Sequence, residues 1–244
     1  MSSENAPQGP PDTGDMAKVA LVVAAHPDDA DFGTAGTAHL WSKQGWDFYY
    51  LICTDGSKGT EDPSLTADRL VPMRQREQRA AAEVLGVKDV FFLDGYVDGE
   101  LKPSRELLGE VVRVIRQLKP YAVFTHEPQQ LFHRNSFVNH SDHRATGLTT
   151  VDAVYPAARD SWNFPEQIEE GLEPHKVKEI LIWGNDEPNF AVDITEAVET
   201  KIQALLRHAS QFGEGEELLK FVRERWKDED GRYYERFRRI VLWR

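Results

Sequence analysis

The sequence has one cysteine and little positive charge, and each shortage excludes a class of protein. The lone Cys53 cannot close a disulfide within the chain. Lysine and arginine total 29 against 41 aspartates and glutamates, and the net charge of −12 disfavours binding to nucleic acid or anionic lipid. No apolar run approaches the roughly 20 residues that a membrane helix needs. We therefore expect a cytoplasmic protein that binds small molecules, with no nucleic-acid partner and no membrane insertion.

The chain is predicted to form one folded domain behind a short tail. Residues 1–16 are rich in proline, glycine and serine and lack the features of a signal peptide, so we predict a disordered N-terminal tail. The 244 residues, 40% hydrophobic, are enough to bury one full core. We assign residues 17–244 to a single domain.

Apolar strand-like runs alternate with helical patterns from Lys18 onward, which predicts an α/β domain with an open, doubly wound and mostly parallel sheet. Pro72 suits a first helical position, and Asp193 with Glu196 forms a plausible capping box. The predicted strands are 19–25, 48–53, 89–93, 121–125, 177–183 and 189–192. The predicted helices are 33–43, 72–85, one that is capped by Ser104 and ends before Pro120, 193–210 and 214–239.

Two short stretches place metal-binding residue types at one edge of this sheet. His26, Asp28 and Asp29 follow the first strand, and His140 and His143 lie at a predicted helix start. Ligands of open parallel sheets bind outside the carboxyl ends of the strands, where these loops converge. His26, Asp29 and His143 can supply the three ligands of a hydrolytic zinc site that keeps one position open for water.

The neighbouring polar side chains are candidates for proton transfer and substrate contact. Asp28 is free to act as a general base, and a cationic His140 can donate to an oxyanion or a leaving amine. Asp142 is well placed to hydrogen-bond an imidazole ring and fix its tautomer. His126 ends the fourth strand and is expected to line the pocket. The long stretch 126–139 is predicted to form a lid that decides substrate choice.

The sequence resembles the PIG-L (LmbE-like) zinc de-N-acetylases. The resemblance rests on His26-Pro27-Asp28-Asp29 and His140-Ser141-Asp142-His143, which match the two signatures of that family. It extends over most of the chain from Lys18 to Gln211, including the segments 54–59, 74–77, 92–99 and 208–211.

Membership would imply a Rossmann-like deacetylase fold with Zn²⁺ on the three predicted ligands, Asp28 as base and His140 as an electrophilic or acid partner. It also implies that Arg74 and Asp98 reach a polar substrate. One departure concerns the residue after Asp29, where many members carry glutamate. Here that position is Ala30, and an acid follows at Asp31.

The leading hypothesis is a zinc-dependent hydrolase that removes an N-acetyl or related acyl group from an amino-sugar conjugate, such as an N-acetylglucosaminide. One alternative is an amidase that cleaves a different amide of an amino-sugar thiol conjugate. Another is a non-catalytic sugar or nucleotide binder, although the first strand-to-helix turn has only Gly33 and Gly36 and lacks G-x-G-x-x-G. Fe²⁺ or another divalent ion also suits a His/His/Asp site, and the aromatic C-terminal region suits a homo-oligomer contact.

Overall fold

The computed structural model describes residues 8–133, 135–212 and 215–242. Residues 1–7 of the predicted disordered tail lie outside the described residues. Further along, the backbone N–H of Gln8 donates to the carbonyl of Ala191 at 2.8 Å, and Thr13 is buried. The segment just before the first strand therefore contacts the body of the protein.

Seven strands form one mixed sheet, and five of them are parallel. The strands of the chain are β1 Val19–Ala24, β2 Asp47–Ile52, β3 Asp89–Phe92, β4 Ala122–His126, β5 Phe132–His133, β6 Phe137–Val138, β7 Glu179–Trp183, β8 Phe190–Asp193 and β9 Tyr234–Val241. The sheet order is β3-β2-β1-β4-β7-β9-β8, with β9 antiparallel to both neighbours. β5 and β6 form a separate antiparallel hairpin. The predicted mostly parallel α/β sheet is confirmed.

Apolar side chains cover both faces of the sheet, which explains the continuous hydrophobic runs of its central strands. On one face Trp41 and Phe48 pack with Phe124 in a buried cluster. On the other, Val111 and Ile115 pack with strand residues of the opposite alternation. The helices are α1 Asp29–Ser42, α2 Ala67–Leu85, α3 Arg105–Leu118, α4 Ser141–Asp152, α5 Pro165–Glu169, α6 Val198–Leu205, α7 Ala209–Phe212 and α8 Glu216–Arg225.

Two helices begin earlier than predicted. α1 begins at Asp29 instead of residue 33, directly after the metal-binding motif. α2 begins at Ala67, so Pro72 lies inside the helix instead of at its first position. Asp68, whose carbonyl the proline leaves without a donor, is exposed, so solvent can satisfy it. Ser104 caps α3 as predicted, with its hydroxyl oxygen accepting from the backbone N–H of Leu107 at 3.1 Å.

The C-terminal part differs most from prediction. The predicted helix 193–210 is a 3₁₀ turn, Thr195–Ala197, followed by the separate helices α6 and α7. The predicted helix 214–239 was wrong beyond residue 225, because β9 inserts between β7 and β8. Phe237 of β9 is fully buried in the core, whereas several charged neighbours on the strand face outward.

The strand order places a topological switch point between β1 and β4. The chain moves from β1 outward to β2 and β3, and then returns to add β4 on the other side of β1. Loops at the carboxyl ends of two such strands diverge and leave a crevice between them. Among the helices that the structure describes, none is long and apolar enough to cross a membrane.

Candidate active site

The turn after β1 has an unusual backbone that aims two carboxylates in different directions. Asp28 adopts φ 99° and ψ −35°, a region that residues other than glycine rarely occupy. α1 begins immediately afterwards, at Asp29. Asp29 folds back and accepts a hydrogen bond from the backbone N–H of His26 at 2.8 Å. The two adjacent aspartates therefore enter different surroundings.

The three residues predicted to hold a metal lie together at the crevice. Nδ1 of His26 is 3.0 Å from Oδ2 of Asp29, and Nε2 of His143 is 3.2 Å from Oδ1 of the same carboxylate. The His26 and His143 rings have centroids 5.3 Å apart. Asp29 thus joins a motif after β1 to a motif at the start of α4, more than a hundred residues later.

Several groupings of these side chains have the spacing of a metal site. Three sets have ligand atoms that all lie within 4.8 Å of one another: His26 with His140 and His143, Asp29 with His126 and His143, and His26 with Asp98 and Asp142. The predicted triad spans the first two sets. Imidazole nitrogens and carboxylate oxygens are the donors that zinc and other first-row divalent ions take, so the residues fit such an ion.

Asp142 and Asp98 surround the far side of the His26 ring. Nε2 of His26 lies 3.1 Å from Oδ2 of Asp142 and 3.2 Å from Oδ1 of Asp98. Burial lowers the pKa of His26, but the hydrogen bonds to Asp142 and Asp29 outweigh it and hold that pKa well above its ordinary value. The carboxylates therefore favour a positive charge at this point, which a metal ion would also supply.

The imidazole partner of Asp142 is His26, which lies on the metal-binding side of the site. Its carboxylate also accepts from the backbone N–H groups of Gly99 and Leu101, at 2.7 and 3.2 Å. A ligand histidine whose second nitrogen meets a carboxylate has a fixed ring orientation and greater basicity. The structure thus supports the imidazole-orienting task that the sequence suggested for Asp142.

His140 differs from the cationic donor expected from sequence. Burial and the neighbouring imidazoles of His26 and His143 lower the pKa of His140. Its Nδ1 accepts from the backbone N–H of Asp142 at 3.2 Å, as the N-cap of α4. In the neutral ring the proton then sits on Nε2, because an accepting nitrogen carries none. His140 therefore keeps one N–H donor without being charged.

Asp28 and Asp29 have opposite electrostatics despite being neighbours. Burial and the charge of Asp29 raise the pKa of Asp28 to about 6. Burial would also raise the pKa of Asp29, but its contacts with His143 and His126 outweigh burial and hold it well below the ordinary value. Asp29 is thus the permanently ionised carboxylate, and Asp28 is the one that can exchange a proton near neutral pH.

Arg74 reaches Asp28 from α2 and is 3% exposed. Its guanidinium donates to the carbonyls of Pro27 and Gly56, at 2.6 and 2.8 Å, and to Oδ2 of Asp28 at 3.1 Å. Asp98 lies 4.0 Å away on the other side. Arg74 therefore holds the loops after β1 and β2 around the base candidate, and its predicted contact with substrate stays a prediction.

His126 occupies a position behind the site. Its Nε2 accepts from the backbone N–H of Ala25 at 3.1 Å, and its ring stacks on His143 with centroids 4.1 Å apart. Burial and the neighbouring His143 lower its pKa to about 3, so the ring is neutral. With 3% of its surface exposed, His126 supports His143 and Asp29 but has little surface to present to a substrate, contrary to the pocket-lining role expected for it.

The predicted lid region contains the β5–β6 hairpin. Phe132 and Phe137 are 60% and 59% exposed. The side-chain amide of Asn139 donates to the carbonyls of Glu127 and Gln130, at 2.9 and 3.0 Å, and fixes the base of the hairpin beside His140. Residue 134, within this stretch, lies outside the described residues, and the lid function stays a prediction.

Sequence reasoning missed a buried polar network behind Asp28. Oδ2 of Asp31 accepts from Nε2 of Gln78 at 2.8 Å and lies 2.7 Å from Nε2 of His208. Oε1 of Gln78 in turn accepts from the backbone N–H of Asp28 at 2.8 Å. One available signal was the spacing of Arg74 and Gln78, because residues four apart share a helix face. His208 lies in the segment 208–211, to which the family resemblance extends.

The chain combines a doubly wound sheet with a cluster of histidines and aspartates at the switch point of that sheet. This combination is typical of α/β enzymes that bind a metal ion. The chain belongs to the PIG-L family, described as GlcNAc-PI de-N-acetylase, whose match covers residues 21–154.

Relatives that are named as deacetylases align along most of the chain. Diacetylchitobiose deacetylase from Thermococcus kodakarensis is 36% identical over 200 residues, which are 82% of this chain and 72% of that protein. A probable N-acetyl-alpha-D-glucosaminyl L-malate deacetylase 2 from Bacillus anthracis is 28% identical, over 79% of this chain and 80% of that protein. The structure of N,N'-diacetylchitobiose deacetylase from Pyrococcus horikoshii with its inhibitor MPG superposes with a TM-score of 0.84 and 32% identity, covering 92% of this chain and 84% of that one.

Proposed function

We propose that this protein is a zinc-dependent N-deacetylase that releases acetate from a small amino-sugar conjugate such as an N-acetylglucosaminide. The observation that carries the proposal is the pairing of Asp28, whose pKa is raised to about 6, with a histidine and aspartate cluster suited to a divalent ion. The relatives that cover most of the chain are named as deacetylases of acetylated amino sugars.

The metal site would consist of His26, Asp29 and His143, with Asp142 orienting His26. His26 and His143 both contact the Asp29 carboxylate, and the side chains of all three residues are partly exposed. When bound there, a divalent ion supplies Lewis acidity, which acidifies water and polarises an amide carbonyl. Zinc is proposed because a site of three nitrogen and oxygen ligands with an open position is typical of hydrolytic zinc.

Asp28 would accept the proton of the attacking water. A general base works best when its pKa lies near the working pH, and the pKa of Asp28 of about 6 satisfies that condition better than an ordinary aspartate does. The Arg74 guanidinium donates to Oδ2 of Asp28 at 3.1 Å and so holds the carboxylate of the proposed base in place.

His140 would stabilise the oxyanion of the tetrahedral species through its Nε2–H. A neutral imidazole can donate this hydrogen bond, and donors fixed in advance where charge develops lower the barrier. Asp28, once protonated, can return its proton to the departing amine. Arg74 and Asp98 are proposed to contact polar groups of the sugar. The enzyme is further proposed to be cytoplasmic and to form a homo-oligomer.

The test is acetate release from a panel of N-acetylglucosamine conjugates by purified protein, before and after chelation and with zinc or iron added back. Chelator-sensitive acetate release with a matching amount of free amino sugar is expected. Metal binding without acetate release would overturn the deacetylase proposal and favour cleavage of another amide, such as that of an amino-sugar thiol conjugate. Ligand binding that needs no metal would favour a non-catalytic sugar binder.

A further inference from the structure

The base candidate Asp28 has a backbone that ordinary local preferences do not hold in place. Its φ of 99° is disfavoured for a residue with a side chain. Such a conformation persists only when surrounding contacts determine it. Arg74 binds the carboxylate of Asp28, and the remaining question is what holds the peptide group itself.

Gln78 supplies that contact from the same face of α2 as Arg74. Its side chain is fully buried, and its Oε1 accepts from the backbone N–H of Asp28 at 2.8 Å. Its Nε2 donates to Oδ2 of Asp31 at 2.8 Å. A flipped amide would point a donor at the N–H of Asp28 and an oxygen at the Asp31 carboxylate, so only one orientation satisfies both neighbours.

The Asp31 carboxylate is fixed in its turn by His208. Nε2 of His208 lies 2.7 Å from Oδ2 of Asp31, and both side chains have no exposed surface. His208 comes from the turn between α6 and α7, and both of these helices pack against α2. The contacts form one buried series that runs from His208 through Asp31 and Gln78 to the peptide N–H of Asp28.

We propose that Gln78 is a positioning residue for the deacetylation reaction, which holds the peptide of Asp28 in its unusual conformation and is itself oriented by the Asp31–His208 pair. This inference rests on the proposed role of Asp28 as base. Without the Gln78 acceptor, Asp28 can relax toward a common φ, and its carboxylate then leaves the line of the attacking water. Misplacement by about 1 Å can cost about 100-fold in rate.

The test compares Gln78→Leu, which has similar volume and no amide, with the wild type. We expect kcat to fall about 10- to 100-fold, while KM and bound metal change less than about twofold, because Gln78 contacts neither substrate nor metal ligand. A crystal structure of Gln78→Leu should show Asp28 outside the positive-φ region. Unchanged kcat, or a loss that simply follows lost metal, would overturn the inference.

A matched control comes from the same part of the molecule. Ser210 lies two residues after His208, and its hydroxyl donates to Glu77 Oε2 at 2.6 Å, next to Gln78 in sequence. Ser210→Ala removes this hydrogen bond between α7 and α2 but leaves the series to Asp28 intact. We expect kcat to stay within about twofold of the wild type. A loss as large as that of Gln78→Leu would show that general loosening is the cause.

An exchanged pair guards against simple misfolding. In Asp31→Asn/Gln78→Glu, the new asparagine NH2 takes the place of Oδ2, the atom that both Gln78 and His208 contact. It can donate one hydrogen to the new carboxylate, which still accepts from the N–H of Asp28, and the other to Nε2 of His208 in the tautomer protonated at Nδ1. The double variant should be more active than Gln78→Glu alone, where two carboxylates meet. A double variant no better than that single variant would contradict the positioning role. An inactive wild type would defeat the proposed function instead, and the φ of Asp28 in Gln78→Leu would still decide this inference.

Discussion

Two aspartates that are adjacent in sequence have different chemistry because their surroundings differ. Asp29 contacts three imidazoles and stays ionised, whereas burial beside that charge raises the pKa of Asp28 to about 6. In enzyme active sites, two neighbouring titratable groups whose surroundings drive their pKa values apart typically take different roles in catalysis. The same two residues would be indistinguishable on composition alone.

Replacing Asp28 by asparagine tests the role of the base. Asp28→Asn keeps the shape of the side chain but cannot accept a proton, so we predict a loss of about 100- to 10,000-fold in kcat. Metal content should match that of the wild type, because Asp28 is not a proposed ligand. Acetate release and metal analysis on the same sample measure both. Near wild-type turnover would contradict the assignment.

The pH dependence of the rate should report the same carboxylate. Asp28 must be ionised to accept a proton, so the rate is high above its pKa and falls as the pH drops through it. A bound cation favours the ionised form, and we therefore predict half-maximal kcat/KM on the acid side at or below about pH 6. A full pH–rate profile measures this, with Asp28→Asn as the control. An acid limb well above pH 6, or one kept by Asp28→Asn, would exclude Asp28 as its origin.

At the scale of elements, the central strands could be predicted because they are buried on both faces and read as apolar runs. β9 could not, since the charged residues between Tyr234 and Val241 are typical of an exposed helix. Its stabilising contact is a buried ion pair whose partners are far apart in sequence. Glu235 accepts from Lys201 Nζ at 2.6 Å, and both side chains are fully buried.

That ion pair also joins β9 and α6 to α1. The Glu235 carboxylate accepts from the backbone N–H groups of Gly36 and Thr37, at 2.9 and 2.7 Å, and Lys201 donates to the carbonyl of Phe32. The carboxylate thus accepts three hydrogen bonds, and the ammonium donates two. Breaking the pair from one side would leave a buried charge without its partner.

We predict that Lys201→Met lowers the free energy of unfolding by about 3–5 kcal/mol. Urea denaturation measures the change. The matched control is Lys88→Met, which removes an ion pair of 3.2 Å to Asp47 whose side chains are 55% and 47% exposed, and should have little effect. Equal losses at the buried and exposed pairs would contradict this account of β9.

The parts of the candidate site that come from short sequence motifs could be predicted. The parts that depend on contacts between residues far apart in the sequence could not. The motifs after β1 and before α4 are short runs of chemically distinctive residues, so His26, Asp29 and His143 could be chosen from sequence. The series behind Asp28 joins Asp31 to Gln78, which lies 47 positions later in the chain, and to His208, which lies 177 positions later. Such contacts exist only once the sheet and helices have packed. The supporting position of His126 likewise depends on the stacking of strand ends.

At the scale of the whole molecule, the site joins the strand end after β1 to the start of α4. A metal ion that binds the folded chain alone stabilises it, by about 4 kcal/mol when free metal exceeds its Kd about a thousandfold. We predict that chelation lowers the melting temperature and abolishes activity, and that added zinc restores both. His143→Ala should melt at a temperature that zinc does not change. Thermal unfolding with and without chelator gives the comparison, and a zinc response kept by His143→Ala would contradict the proposed ligand set.

The central claim is that His26, Asp29 and His143 hold a divalent ion beside Asp28. Anomalous diffraction at the zinc edge, from crystals of the zinc-reconstituted protein, tests it most directly. We predict one strong peak at about 2.0–2.2 Å from an oxygen of Asp29 and from one nitrogen each of His26 and His143, with the Asp28 carboxylate outside bonding distance. A peak bound instead by His26, Asp98 and Asp142 would contradict the account. So would the absence of any peak in crystals grown with excess zinc.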